Sequence, residues 1–238
     1  RGGKTAQIVR LVAVVAAELF EDYGAQLILY DIHTLSSRKI KWENGMTGWH
    51  KDGVNDILLQ NMPQLISAAS QLSRFFVPLC GKTVDMAFLA RLENVGEVVG
   101  LDLVQKAFED FSEENPELGI DMDAGEDIGS FVRYGGKKIS LLRGNYFDVD
   151  EVALGGRVDV IWDRGSIVAI LPELREKYVE AMRKIIKPGG VMLISTVEKR
   201  DGTEEGKTGG PPFSVDREEM KRLFENEKWV NKVVMVSE

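Results

Sequence analysis

The chain has 238 residues, 44% hydrophobic and 29% charged, enough for one domain with a single sizeable core. Its formal net charge of −8 leaves no basic stripe to displace counterions from a phosphate backbone, which argues against nucleic acid as a partner. One cysteine (Cys80) excludes a disulfide framework or a cysteine-based zinc site, and two histidines (His33, His50) without HExxH-type spacing argue against a metal centre.

Residues 5–20 (TAQIVRLVAVVAAELF) are rich in Ala and Val, and they predict an amphipathic helix packed on the domain, so residues 1–35 read as an N-terminal helical arm. The uninterrupted apolar stretch Leu11–Ala17 falls far short of the ~20 residues a membrane span needs, and Arg10 and Glu18 bracket it. No small-residue cleavage site follows, and a lone cysteine is compatible with a reducing compartment, so a cytoplasmic location away from membranes is the expectation. In residues 36–50, Trp42 and Trp49 flank a turn-prone Asn44-Gly45 and a flexible Gly48. Two readings stand there: a surface loop with half-buried aromatics, or a lid whose aromatic faces cover a flat or cationic ligand. Asp56–Met62 predicts a short helix halted by Pro63, and Gln64–Leu72 a second one.

Ser73–Ala87 (SRFFVPLCGKTVDMA) carries the organising pattern: an apolar strand, a turn at Pro78–Gly81, then a helix-like run. A second apolar run, Val98–Leu101, ends in Asp102, with Leu103 beside it. A carboxylate at the end of a second strand is where a nucleoside-binding α/β fold receives ribose hydroxyls. Gly81-Lys82-Thr83 looks like the tail of a phosphate-binding P-loop, but Phe76 stands where the first glycine of that loop belongs. The turn Pro78-Leu79-Cys80-Gly81-Lys82 has one glycine, too few for a dinucleotide fingerprint, so a nucleoside without phosphates fits better. No histidine is placed in sequence to activate Cys80, which reads as a packed turn cysteine.

The predicted elements continue as strand 73–79, helix 83–94, strand 97–102 and helix 104–114. Pro116–Arg133 reads as an exposed acidic excursion, Lys138–Leu142 as a strand leading to Asn145-Tyr146 and Asp148, and Val158–Trp162 as a strand ending in Asp163-Arg164. Glu173–Ile186 reads as a helix and Val191–Val197 as the fifth strand. Strands alternating with helices at this spacing predict an α/β fold with a doubly wound, Rossmann-like, mostly parallel sheet and an N-terminal helical lid. Ligands in such sheets bind outside the carboxyl ends of the strands, which supply Pro78–Gly81, Asp102, Asn145-Tyr146 and Asp163-Arg164. Asp163 and Arg164 could form a strand-end ion pair, but opposite charges directly after a buried strand at this edge favour a functional role.

Taken together, WENGMTGWH, FFVPLCGK, VVGLD, VDVIWDRGSIVAI and GGPPFSV resemble the thiopurine S-methyltransferase family of class I S-adenosylmethionine-dependent methyltransferases, from about Trp42 to Phe224. The resemblance implies a methyltransferase domain over 36–238, with S-adenosyl-L-methionine as cofactor and S-adenosyl-L-homocysteine as product. By position it makes Trp42, Asn44, Gly45, Thr47 and Trp49 the cofactor cover, with Trp49 also touching the acceptor substrate. Pro78, Leu79, Cys80 and Gly81 become cofactor contacts, Asp102 and Leu103 the ribose side, and Asn145 and Tyr146 the adenine side. Arg164, with Asp163 beside it, falls near the methyl-transfer site, and Pro211 and Pro212 belong to a loop that walls the acceptor pocket. The family continues into further strands where this chain stops after Trp229–Val236, so a bare sheet edge is expected, and nothing before Arg38 contributes to the resemblance. The implied reaction is direct displacement of a methyl group onto the sulfur of a small thiol; a small acidic chain gives no cause to expect more than a monomer. The alternatives are a halide or thiocyanate acceptor within the same family, or a cofactor-binding module without turnover. A nicotinamide-dependent oxidoreductase lacks its glycine signature here.

Overall fold

The computed structural model describes residues 7–15, 40–48, 50–68, 73–199, 210–225 and 227–237. The strands, numbered in chain order, are β1 (Gln7–Val15), β2 (Ser73–Pro78), β3 (Val95–Asp102), β4 (Glu126–Ile128), β5 (Phe131–Gly136), β6 (Ile139–Arg143), β7 (Val158–Asp163), β8 (Ile186–Glu198) and β9 (Val230–Ser237). They form one sheet in the order β4-β5-β6-β3-β2-β7-β8-β1-β9. β6, β3, β2, β7 and β8 run parallel, and every other pairing is antiparallel.

β2 is central because its sequence lets both faces be covered. Successive side chains of a strand point to opposite faces; Phe75 and Val77 enter one core and Phe76 the other. On the first face lie α1 (Asp56–Ala68), α2 (Val84–Arg91) and α3 (Gln105–Glu114), which contribute Leu58, Leu65, Met86, Leu89, Phe108 and Phe111. On the second lie α4 (Glu151–Leu154), α5 (Arg175–Ile185) and α6 (Arg217–Phe224), with Leu154, Tyr178, Met182, Met220 and Phe224. Helices on both faces explain why β2 and β7 read as near-continuous apolar runs. The chain leaves β2 towards β3 on one side and returns to β7 on the other, so a crevice opens between the carboxyl ends of β2 and β7.

Four expectations are corrected. The helix expected over 5–20 is, in its described part, strand β1, which lies antiparallel between β8 and β9, with Val12 opposite both Leu193 and Val234. The run IVRLVAVV is dominated by β-branched residues, which fit a pleated ladder better than a helix. The bare edge expected after β8 is accordingly occupied by β1 and then β9. Pro63 does not divide two helices but sits inside α1. The carbonyl that its missing N–H leaves unpaired belongs to Leu59, which is exposed, so water can satisfy it. The acidic excursion 116–133 contains β4 and the start of β5, a hairpin turned at Gly129 (φ 60°) that extends the sheet beyond β6.

Candidate active site

The crevice is shaped first by the turn after β2. Leu79 (φ 44°) and Gly81 (φ 52°) both occupy the left-handed region, which folds the chain back sharply before α2. The turn is anchored on both sides: the Cys80 N–H donates to the Leu101 carbonyl at 2.9 Å, and the Ser166 hydroxyl donates to the Pro78 carbonyl at 2.6 Å. A Cβ added at Gly81 would stand 3.1 Å from the Trp42 ring, so glycine is what lets Trp42 close over this turn. Trp42 itself is buried against Val104 and Ala107 at the start of α3. It is delivered there by a helical turn at 40–43, which Asn44 ends by donating its side-chain amide to the Ile40 carbonyl at 2.7 Å, before Gly45 reverses the chain at φ 65°. The Thr47 carbonyl accepts from the His50 N–H at 2.8 Å; Trp49 lies outside the described residues.

Asp102 ties two strand ends together. Its Oδ2 accepts from the Gly81 N–H at 2.9 Å and its Oδ1 from the Val104 N–H at 3.1 Å. Leu103 lies between them, partly buried. At the end of β6, the Asn145 side chain accepts from the Phe147 N–H at 3.2 Å, which starts a short helical turn. The Tyr146 side chain is taken up by the core: its hydroxyl donates to the Tyr178 carbonyl at 2.9 Å and its ring stacks on Tyr178 at 4.3 Å.

Asp163 and Arg164 part company at the end of β7. Asp163 is fully buried, accepts from the N–H groups of Gly165, Ser166 and Ile167, and takes a hydrogen bond from the Tyr178 hydroxyl at 2.9 Å. Burial pushes its pKa up to about 6 against the pull of those donors. Asp163 is thus turned into the turn it caps, while Arg164 faces the other way, its Nε 3.7 Å from Asp85. Asp85, from the first turn of α2, is fully buried and accepts from Trp162 Nε1 at 2.9 Å and from the Asn55 N–H at 2.8 Å.

Near this group, His50 has its pKa lowered by burial and then by Lys82, whose ammonium pairs with Glu114; Arg164 acts in the same direction. Cys80 is buried and its thiol pKa is pushed up by burial and by Asp102, so it is no nucleophile at neutral pH. Among the described residues there is no cluster suited to a metal ion, and no helix is long and apolar enough to cross a membrane.

The sequence profile of Thiopurine S-methyltransferase (TPMT) matches residues 35–237. The chain belongs to that family. Among its relatives are the thiopurine S-methyltransferases of Pseudomonas aeruginosa, 33% identical over 77% of this chain and 78% of that protein, and of Shewanella loihica, 36% identical over 79% and 82%. The solved structure of a Burkholderia thailandensis 1,6-didemethyltoxoflavin-N1-methyltransferase, with S-adenosylhomocysteine bound, is similar at a TM-score of 0.46 with 16% identity, over 75% of this chain and 65% of that one.

A member of the thiopurine S-methyltransferase family is an S-adenosylmethionine-dependent methyltransferase, and the residues present fit that cofactor. Each Asp102 oxygen spends one lone pair on a backbone N–H, which leaves acceptor capacity on both for a pair of ribose hydroxyls. The left-handed turn at Leu79–Gly81, without a side chain at Gly81, is of the kind that lets a ligand come close to backbone. The family's GPPF segment docks beside the Arg164 turn: the Phe213 N–H donates to the Val168 carbonyl at 2.6 Å, while Pro211 and Pro212 are exposed. The preceding residues, 200–209, lie outside the described ones. Asp85 carries no mark in the sequence, because an acid two positions into a helix reads as an ordinary partner of the helix dipole.

Proposed function

We propose that this methyltransferase moves its methyl group to the sulfur of a small thiol, aromatic or aliphatic, by direct in-line displacement. The observation that carries the reading is a guanidinium, Arg164, directly after the carboxyl end of β7, 18% exposed and paired at 3.7 Å with Asp85 of the helix that follows the Gly81 turn. The cofactor, when bound, supplies a methyl on a positively charged sulfur, an electrophile that needs an aligned nucleophile more than a strong base. Asp102 holds the ribose, the Leu79–Gly81 backbone borders the nucleoside, and Asn145 with the Tyr146 backbone borders the base. Trp42 closes the site against water and offers an electron-rich face to a cation, and the sequence supplies a second such ring seven positions on, at Trp49. Arg164 draws in an acceptor that ionises, because a thiolate gains a charge-assisted contact that a neutral alcohol does not. Pro211 and Pro212 wall the acceptor side. The relatives' name, thiopurine S-methyltransferase, supports sulfur as the acceptor atom and an aromatic thiol as the first substrate to try.

The test is Arg164→Ala, assayed with an aromatic thiol and labelled S-adenosylmethionine. Loss of one charge-assisted contact is expected to lower kcat/KM for the thiol about 10- to 100-fold. An unchanged kcat/KM would remove Arg164 from the acceptor site.

A further inference from the structure

We infer that Asp85 is a positioning residue for Arg164, and that it couples the segment covering the site to the acceptor-binding charge. This rests on the acceptor role proposed for Arg164. Asp85 is fully buried in α2, where an ionised carboxylate is tolerated only with partners of matching charge and geometry. Its partners come from two separate stretches of chain, the end of β7 and the entry to α1. Oδ2 accepts from the indole of Trp162, inside β7, at 2.9 Å and stands 3.7 Å from Arg164 Nε, just beyond that strand. Oδ1 accepts at 2.8 Å from the backbone N–H of Asn55, which leads into α1 directly after the covering segment and whose side chain caps α1 at the Ile57 N–H.

Each contact has a consequence for the site. At 3.7 Å the contact is an ion pair through Nε, the near end of the guanidinium, and it leaves the planar fork of the two Nη groups for an anion. The Trp162 indole fixes the carboxylate plane, so the charge facing Arg164 has one orientation rather than several. The Asn55 contact makes the same carboxylate the footing of the segment that carries Trp42, Thr47 and His50. A shift of the cover therefore reaches Arg164 through one side chain. Nothing else in α2 needs an acid here: the helix is already capped by Thr83, whose hydroxyl accepts from the Asp85 N–H at 3.4 Å.

The experiment is a cycle of Asp85→Asn, Arg164→Ala and the double variant in the full chain. Steady-state thiol methylation, S-adenosylhomocysteine calorimetry and the NMR signal of the Arg164 Nε–H are read on each. Asp85→Asn keeps the volume and removes the charge. It is expected to lower kcat/KM for the thiol by at least about tenfold but no more than Arg164→Ala does, while the affinity for S-adenosylhomocysteine changes less than about threefold. In the Arg164→Ala background the same change is expected to cost less than about twofold, because the two residues act as one unit. The Arg164 Nε–H signal is expected to shift in Asp85→Asn, because the charge 3.7 Å from it is removed. Full additivity of the two substitutions, or an Arg164 signal untouched by Asp85→Asn, overturns the assignment. If Asp85→Asn does not fold, Asp85→Glu is read in the same way: it keeps the charge and shifts it by one methylene, and an unaltered kcat/KM then counts against the inference. A wild type that methylates no thiol counts against the proposed function, and the Arg164 signal then decides the Asp85 assignment alone.

Discussion

Two aspartates end strands of the parallel core, and both spend their oxygens on backbone N–H groups, yet they serve different ends. Asp102 bridges the turns after β2 and β3, and the lone pairs left to it are the ones proposed for a ribose. Replacing it by alanine is expected to weaken S-adenosylhomocysteine binding by at least about tenfold in calorimetry, and to cost about 1–3 kcal/mol in urea unfolding for each buried N–H left without an acceptor. Weakened stability with unchanged affinity would make Asp102 a structural brace only. Asp163 is enclosed, and burial raises its pKa from the ordinary 3.8 to about 6. Between those values the native chain keeps a proton that the unfolded chain has released, so this group's contribution to stability falls as pH rises from about 4 to about 6 and is level above that. Relative to Asp163→Asn, the wild type should lose on the order of 3 kcal/mol of unfolding free energy between pH 4 and 7, at 1.36 kcal/mol per pKa unit. Parallel pH profiles for the two proteins would contradict the raised pKa.

At the scale of elements, the sequence was legible wherever apolar residues ran continuously. β2, β3, β6, β7 and β8, with the helices between them, lie close to the expected ranges, because a strand covered on both faces leaves an unbroken apolar signature. β4 and β5 were not legible: Glu126 and Asp127 are exposed and charged, and a short edge hairpin buries too little to mark itself. β1 was misread because IVRLVAVV supports either period, and only its two partners decide between them. A proline at Val12 removes a backbone donor from a strand flanked on both sides. Val12→Pro is therefore expected to lower the unfolding free energy by about 2 kcal/mol in urea. An unchanged midpoint would place residues 7–15 outside the sheet. The site shows the same division. Asp102 and Arg164 were readable as charges stranded at the ends of apolar runs. Tyr146 was read as a site position with no sign of the turn of its ring into the core, and the burial of Asp85 leaves no trace in any periodicity.

Across the whole molecule, the parallel core, the turns at its carboxyl edge and the Trp42 segment converge on one crevice. The family of the chain assigns it methyl transfer, and the role proposed for Arg164 bears on what is methylated. A guanidinium next to the acceptor favours a nucleophile that is anionic near neutral pH, and thiols meet that condition where alcohols do not. The most direct measurement is transfer of a labelled methyl group from S-adenosylmethionine to matched acceptors: an aromatic thiol, the corresponding phenol, and iodide or thiocyanate. The account predicts labelled thioether from the thiol at a kcat/KM well above that of the phenol or the inorganic anions. Methylation of iodide or thiocyanate with the thiol untouched would contradict the account and make the crevice that of a halide-type methyltransferase.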